Sequence, residues 1–171
     1  LTLQWKMART RPQNLPHRRM AALAEKIHQG FHLVGTLHDA ATLDDMRREL
    51  AVELHGYWAT HFTFSGESAH TPRALGKSSI DTLIINVAIP LRLAYATYQG
   101  DTTALTSNIE LLEQLEPENN SVTRIFADTG LDISDAFRSQ ALIQLRREYC
   151  EKRKCIFCRF GHKMLSAEIQ R

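Results

Sequence analysis

A chain of 171 residues with 43% hydrophobic residues, three cysteines and a net charge of +2 is long enough to bury one core of ordinary size and too apolar to stay disordered. It has no signal-peptide layout, and its cysteines, Cys150, Cys155 and Cys158, are odd in number and clustered, which excludes a secreted disulfide framework and points to a reducing cytoplasm. The charge is unevenly spread: residues 1–19 hold five basic side chains and no acid, residues 20–137 hold 7 basic and 16 acidic, and residues 138–171 hold 9 basic and 3 acidic. Basic ends around an acidic middle either meet a phosphate backbone or an acidic partner, or neutralise the middle within the fold.

The chain opens on Leu1 to Gln4, an alternating stretch that reads as the end of a strand, so the chain is expected to be the C-terminal part of a longer protein. Pro16 suits the first position of a helix capped by Asn14 or Leu15 and running to about His28, with Met20, Leu23, Ala24 and Ile27 on one face. Gly30 and Gly35 then loosen the chain. Thr42 and Asp45 have capping-box spacing at the head of a second helix, where Leu43, Met46, Leu50 and Leu54 repeat at helical intervals up to Gly56. An aromatic run, Tyr57 to Phe64, and a loop over Ser65 to Lys77 follow.

Ser78 or Ser79 opens a third helix, with Asp81 in its first turn, a core of Leu83, Ile84, Val87 and Leu91, and a kink at Pro90. Its apolar run, Leu83 to Leu93, is broken by Asn86, Pro90 and Arg92, so it reads as a core helix and not a membrane span, and no membrane partner is expected. A fourth helix covers Thr103 to Leu115. A fifth starts at Pro117–Asn120 and stops at Gly130. A sixth, capped by Asp132 or Ser134, turns Phe137, Ala141, Leu142, Leu145 and Tyr149 inward and leads to Cys150, and Gly161 to Arg171 adds a short last helix. The expected fold is all-α: a single domain over 1–171, a bundle of about six helices ending in a cysteine-rich tail.

Several short motifs occur together: Arg11-Pro12-Gln13-Asn14-Leu15-Pro16, Tyr57-Trp58-Ala59-Thr60-His61, Leu75-Gly76-Lys77-Ser78-Ser79-Ile80-Asp81, Ser139-Gln140-Ala141-Leu142, and Tyr149-Cys150 running on to Cys155-Ile156-Phe157-Cys158-Arg159-Phe160-Gly161. In this order they make the chain similar to the C-terminal half of an uncharacterised bacterial family, one of the domains of unknown function. The resemblance implies an upstream half, absent here, that is β-rich with acidic and histidine motifs like those of metal-dependent nucleases. It implies the three cysteines as a set, but not His162, and transfers no catalytic role.

Four constellations carry chemistry. Cys150-x4-Cys155-x2-Cys158 with His162 has the donor types of a Cys3His zinc knuckle over 150–162. The spacing also fits the first three ligands of a plant-type iron–sulfur cluster, which wants a fourth cysteine. Positive charge from Lys152, Arg153, Lys154 and Arg159 favours the thiolate a metal needs, and the alternative is three reduced cysteines packed in the tail. Arg146, Lys152, Arg153, Lys154, Arg159 and Lys163, interleaved with Phe157 and Phe160, form a candidate nucleic-acid surface, since cations meet phosphates and aromatic rings stack on unpaired bases. The bland alternative is a solvated basic face. His61 and Asp81, with Asn86 and the neighbouring His55, could line a polar cleft or a metal site, against a plain aromatic strip. Lys77-Ser78-Ser79 could hold a phosphate at a helix start, against a plain cap, and lacks P-loop spacing.

The expected function is a non-catalytic helical module with a structural metal site, zinc before iron–sulfur, that supports an upstream catalytic half acting on nucleic acid. The alternatives are an enzyme domain built around His61 and Asp81, or a purely structural bundle without ligand.

Overall fold

The computed structural model describes residues 14–69 and 71–163. The strand-like opening at Leu1 to Gln4 and the last helix beyond residue 163 lie outside the described residues. The described residues are helical with no strand, and one isolated antiparallel bridge joins Glu53 to Ala74. The all-α fold is as expected. The chain divides into two compact units, Leu1–Tyr98 and Gln99–Arg171, where length alone suggests one domain.

In the first unit, α1 (Pro16–His28) starts with Pro16 after an extended Leu15, as its locked φ favours. It ends in a Schellman turn: Gly30, at φ 81°, donates to the Ile27 carbonyl and Phe31 donates to that of Lys26, each at 3.0 Å. Its inner face is not the expected apolar one. Met20, Leu23 and Ile27 are at least half exposed, and Arg18 and Ala22 are buried instead. Ala22 has the small volume that lets α1 approach Val52 and Leu54, with Trp58 and Leu75 alongside.

A short helix the sequence did not announce, α2 (Leu33–Asp39), takes Gly35 into its interior and buries Leu37. Helix α3 (Leu43–Leu50) opens with the expected capping box: the Asp45 N–H donates to the Thr42 hydroxyl and the Thr42 N–H to the Asp45 carboxylate, each at 3.1 Å. It stops at Leu50 and not near Gly56. Residues beyond it turn extended, and the Leu54 N–H donates to the Arg73 carbonyl at 2.8 Å, so Leu54 is buried from a bridge and not from a helix.

Helices α4 (Lys77–Leu83) and α5 (Ile89–Gln99) form one 23-residue helix through a π turn, Ile84–Ala88. Pro90 follows directly after that turn. A proline inside an α-helix clashes with the carbonyl four residues back, and the wider i→i+5 turn carries the chain past it without ending the helix. The Ile89 N–H accordingly reaches back to the Ile84 carbonyl. The extra residue in the turn moves the buried face to Ile80, Ile84, Ile85, Ala88 and Ile89. Of the expected core, Ile84 is fully buried, whereas Val87 is 37% exposed. By length and composition this helix could cross a membrane. In this fold it packs on α3, and Arg92 is tied to carbonyls of the α2 region, as a core helix would be.

The second unit holds α6 (Thr102–Glu113), α7 (Ser121–Ala127) and α8 (Ala136–Leu145), with α6 and α7 packed on α8. Each is capped by a side chain: Asp101, Asn120 and Asp135 accept from N–H groups of the first turn. Asp135, and neither Asp132 nor Ser134, caps the last. Burial alone would raise its pKa, but the N–H of Arg138, the Ser134 hydroxyl and the Arg138 charge outweigh it and hold the carboxyl below the usual range. The inner face of α8 is Ala136, Ser139 and Ile143, while Phe137 and Ala141 turn outward. Ser139 is small and accepts from the Glu118 N–H at 3.2 Å, which brings the chain before α7 against α8.

Candidate nucleic-acid interface

Helix α8 runs into a π segment, Arg146–Cys150, and then the chain reverses sharply. Lys154 donates back to the Tyr149 carbonyl at 2.9 Å and Arg153 to that of Cys150 at 3.1 Å, with Arg153 in the left-handed region at φ 52°. A 3-10 turn, Cys155–Phe157, follows, and a helical stretch over 159–163 opens where the His162 N–H donates to the Cys158 carbonyl at 2.7 Å. The knuckle closes on Gly161, where an added Cβ would lie 2.5 Å from the Cys155 carbonyl oxygen. Only a glycine leaves room for that approach.

This tight loop puts large apolar side chains in solvent. Ile156, Phe157 and Phe160 are 64%, 75% and 61% exposed. Around them the expected cations fall into two sets. Arg146 pairs with Glu151 at 3.3 Å and Lys152 with Glu148 at 2.5 Å. The hydrogen bond from Lys152, with its charge, holds the Glu148 carboxyl below its ordinary pKa. Arg153, Arg159 and Lys163 are exposed and pair with no acid among the described residues. Lys154 is exposed and forms no ion pair among them but attracts the Glu148 carboxylate through space, and Arg147, which the sequence reading passed over, is exposed and unpaired there as well. Across 146–163 seven basic side chains face two acidic ones. The acids these cations meet are their own neighbours, Glu148 and Glu151. Among the described basic residues of this end, Arg138 is the one that forms ion pairs with the acidic middle, at Asp132 and Asp135.

Cys150, Cys155 and Cys158 all line one cavity of about 460 Å³, with Phe126, Leu142 and Tyr149 on its wall. Cys158 is buried, whereas Cys150, Cys155 and His162 are exposed. The cavity gathers the three thiols but not into one ligand sphere: among the described residues no group of three or more histidine, cysteine or acidic side chains is placed to hold a metal ion.

The residues of the expected polar cleft have different neighbours. His61 stacks on Tyr57 with ring centroids 3.7 Å apart and lies 2.9 Å from the Tyr57 carbonyl through Nδ1. Asp81 is the acceptor of a 2.8 Å ion pair from Arg47 on α3, in the body of α4 and not at its cap, and this pairing raises the Arg47 pKa. Asn86 donates to the Thr82 carbonyl at 3.1 Å. The aromatic strip is a cluster of Tyr57, Trp58, His61 and Phe64, joined edge-on by His17 of α1. At the start of α4, Gly76 stands at the cap position and no side chain caps the helix.

Two residues that sequence reasoning missed hold the first unit together. Arg18 donates to the carbonyls of Trp58 (2.9 Å), His61 (3.0 Å) and Pro72, and Arg92 donates to those of Leu37, His38 and Ala40. Burial pushes both guanidinium pKa values down. The signal for Arg92 was an arginine inside an apolar run, which serves a fold as well as it interrupts a membrane span.

No curated protein and no solved structure matches this chain. Residues 2–121 match the family described as a protein of unknown function, DUF2851. The match supports the family and not the narrower expectation of its C-terminal half, and the Ser139–Leu142 and cysteine motifs lie beyond the matched residues. With the larger part of its length so matched, the chain belongs to the DUF2851 family.

Proposed function

We propose that this chain is a non-catalytic helical module whose second unit holds single-stranded nucleic acid on the basic, aromatic knuckle, in support of a catalytic part of the same protein. The observation that carries the reading is the exposure of Phe157 and Phe160 beside Arg153, Arg159 and Lys163, exposed cations that form no ion pair among the described residues. A solvated basic face needs no phenylalanine in water, and large apolar side chains exposed together mark a contact surface. Phosphates would meet Arg153, Lys154, Arg159 and Lys163, and Phe157 would stack on a base. The rival enzyme reading is weaker, because His61 and Asp81 are already engaged by Tyr57 and Arg47.

A structural zinc is the second part of the reading. It is supported by three thiols on one cavity wall, and it requires Cys150 and Cys155 to turn toward Cys158. Elemental analysis of purified protein should find one zinc per chain, lost in Cys155→Ser. Metal-free protein with a full complement of reactive thiols would remove zinc from the proposal and leave the nucleic-acid face standing.

The face itself is tested by titrating the protein with labelled oligonucleotides at two salt concentrations. Binding should weaken steeply with salt, and the Arg153→Ala/Lys154→Ala variant should bind all sequences more weakly with a salt slope flatter by about one unit per lost contact. No binding at the lower salt would end the reading.

A further inference from the structure

The first unit carries a cavity of mixed polar and apolar lining that the proposed function leaves unused. It has a volume of about 310 Å³, at the small end of ligand pockets, and is lined by Arg18, Arg73, Asn14, Gly76, Ser78 and Ser79 among others. We propose that this cavity binds a phosphate-class oxyanion, as free phosphate or as the phosphoryl group of a small monoester.

The argument starts from Arg18. The residue is 4% exposed; its guanidinium donates to three backbone carbonyls and lies 5.2 Å from the centre of the Phe62 ring, with no carboxylate partner among the described residues. A buried cation met by carbonyl dipoles and one ring face, with no counter-charge, keeps its positive charge uncancelled, and burial lowers its pKa accordingly. Three of its five N–H groups are used, so two remain for another acceptor. The second cation, Arg73, has its carbonyl fixed by the Leu54 N–H while its side chain has no partner among the described residues. The hydroxyls of Ser78 and Ser79 make no side-chain hydrogen bond among the described residues, and neither residue caps the helix.

None of the described lining residues is acidic. Two guanidinium groups, two idle hydroxyls and no carboxylate make an acceptor-rich dianion the complementary ligand, since bidentate arginine contacts suit its oxygens. This also gives a use to the two serines of Lys77-Ser78-Ser79.

The test uses the whole chain at low ionic strength, titrated by calorimetry with inorganic phosphate and, separately, with adenosine monophosphate. Saturable binding of either is expected, weakened about tenfold or more in Arg73→Ala, which removes an exposed residue and leaves the fold intact by circular dichroism. Ser79→Ala should weaken it to a smaller extent. Tighter binding of the nucleotide assigns the site to a phosphomonoester, and equal binding assigns it to the phosphoryl group alone. Arg153→Ala/Lys154→Ala should leave this binding unchanged, which separates the site from the nucleic-acid face. No binding of either probe, full binding in folded Arg73→Ala, or loss of binding in the Arg153→Ala/Lys154→Ala variant would each overturn the proposal.

Discussion

The two units use the same kind of residue in opposite ways. In the first, Arg18 and Arg92 are drawn inside and spend their forked N–H groups on carbonyls of chain segments 40 to 55 residues away. In the second, Arg153, Lys154, Arg159 and Lys163 point into solvent beside exposed aromatic rings, and the ion pairs nearby are local. The difference teaches that a basic residue's role here follows from what surrounds it. A planar guanidinium can tie several irregular backbone segments that have no secondary structure to satisfy them, whereas cations crowded on a short turn reach only water and the two acids beside them, Glu148 and Glu151.

The largest effect should come from breaking the inner set. Arg18→Met leaves three carbonyls without their donor and should cost about 3–6 kcal/mol in chemical unfolding. The Arg153→Ala/Lys154→Ala variant should stay within about 0.5 kcal/mol of the parent. Equal losses in the two variants would erase the contrast between the units. Next in size is the π-turn face. Ile84→Ala should cost about 2–5 kcal/mol, and Val87→Ala, at a position 37% exposed, less than about 1 kcal/mol. Reversed magnitudes would mean that the helix is α-helical throughout and turns its originally expected face inward.

These pairs also mark what was legible in the sequence. Local chemistry read well: the Thr42–Asp45 box, Pro16 at the head of α1, and Gly130, which sits at φ 85° after α7. Inner faces read poorly. Met20, Leu23 and Ile27 have helical spacing, but α1 is held by Arg18, so the buried stripe follows that anchor. Pro90 carries no mark that a π turn precedes it, and Leu54 keeps helical spacing although the chain has left the helix to bridge at Arg73. At the candidate site, the cations and Phe157 were legible from charge and interleaving. The solvent exposure of Ile156 was not, because it depends on a reversal closed by Gly161.

A smaller effect belongs to that glycine. Gly161→Ala forces a Cβ to within 2.5 Å of the Cys155 carbonyl oxygen and should cost about 1–3 kcal/mol. The readout is Cys158, buried in the parent, which should react faster with a thiol reagent in the variant. Unchanged reactivity would mean that the knuckle yields without opening. The smallest effect is on pH dependence. The Asp135 carboxyl is held below its unfolded value of about 3.9, so its contribution is complete above that pH and is lost as pH falls through the lower folded value. Asp135→Ala should therefore cost about 1 kcal/mol near neutrality, with the gap to the parent closing below about pH 4. A gap that persists in acid would assign the loss to packing and not to the charged cap.

The most direct test of the account is the strand preference of the knuckle. Fluorescence anisotropy with a single-stranded oligonucleotide and its duplex, at one low salt concentration, compares the parent with Phe157→Ala. Stacking on unpaired bases is worth about 1–3 kcal/mol per ring, so the parent should prefer the single strand and the variant should lose that preference while keeping its affinity for the duplex. An unchanged preference in Phe157→Ala, or equal binding of both strands by the parent, would contradict the account.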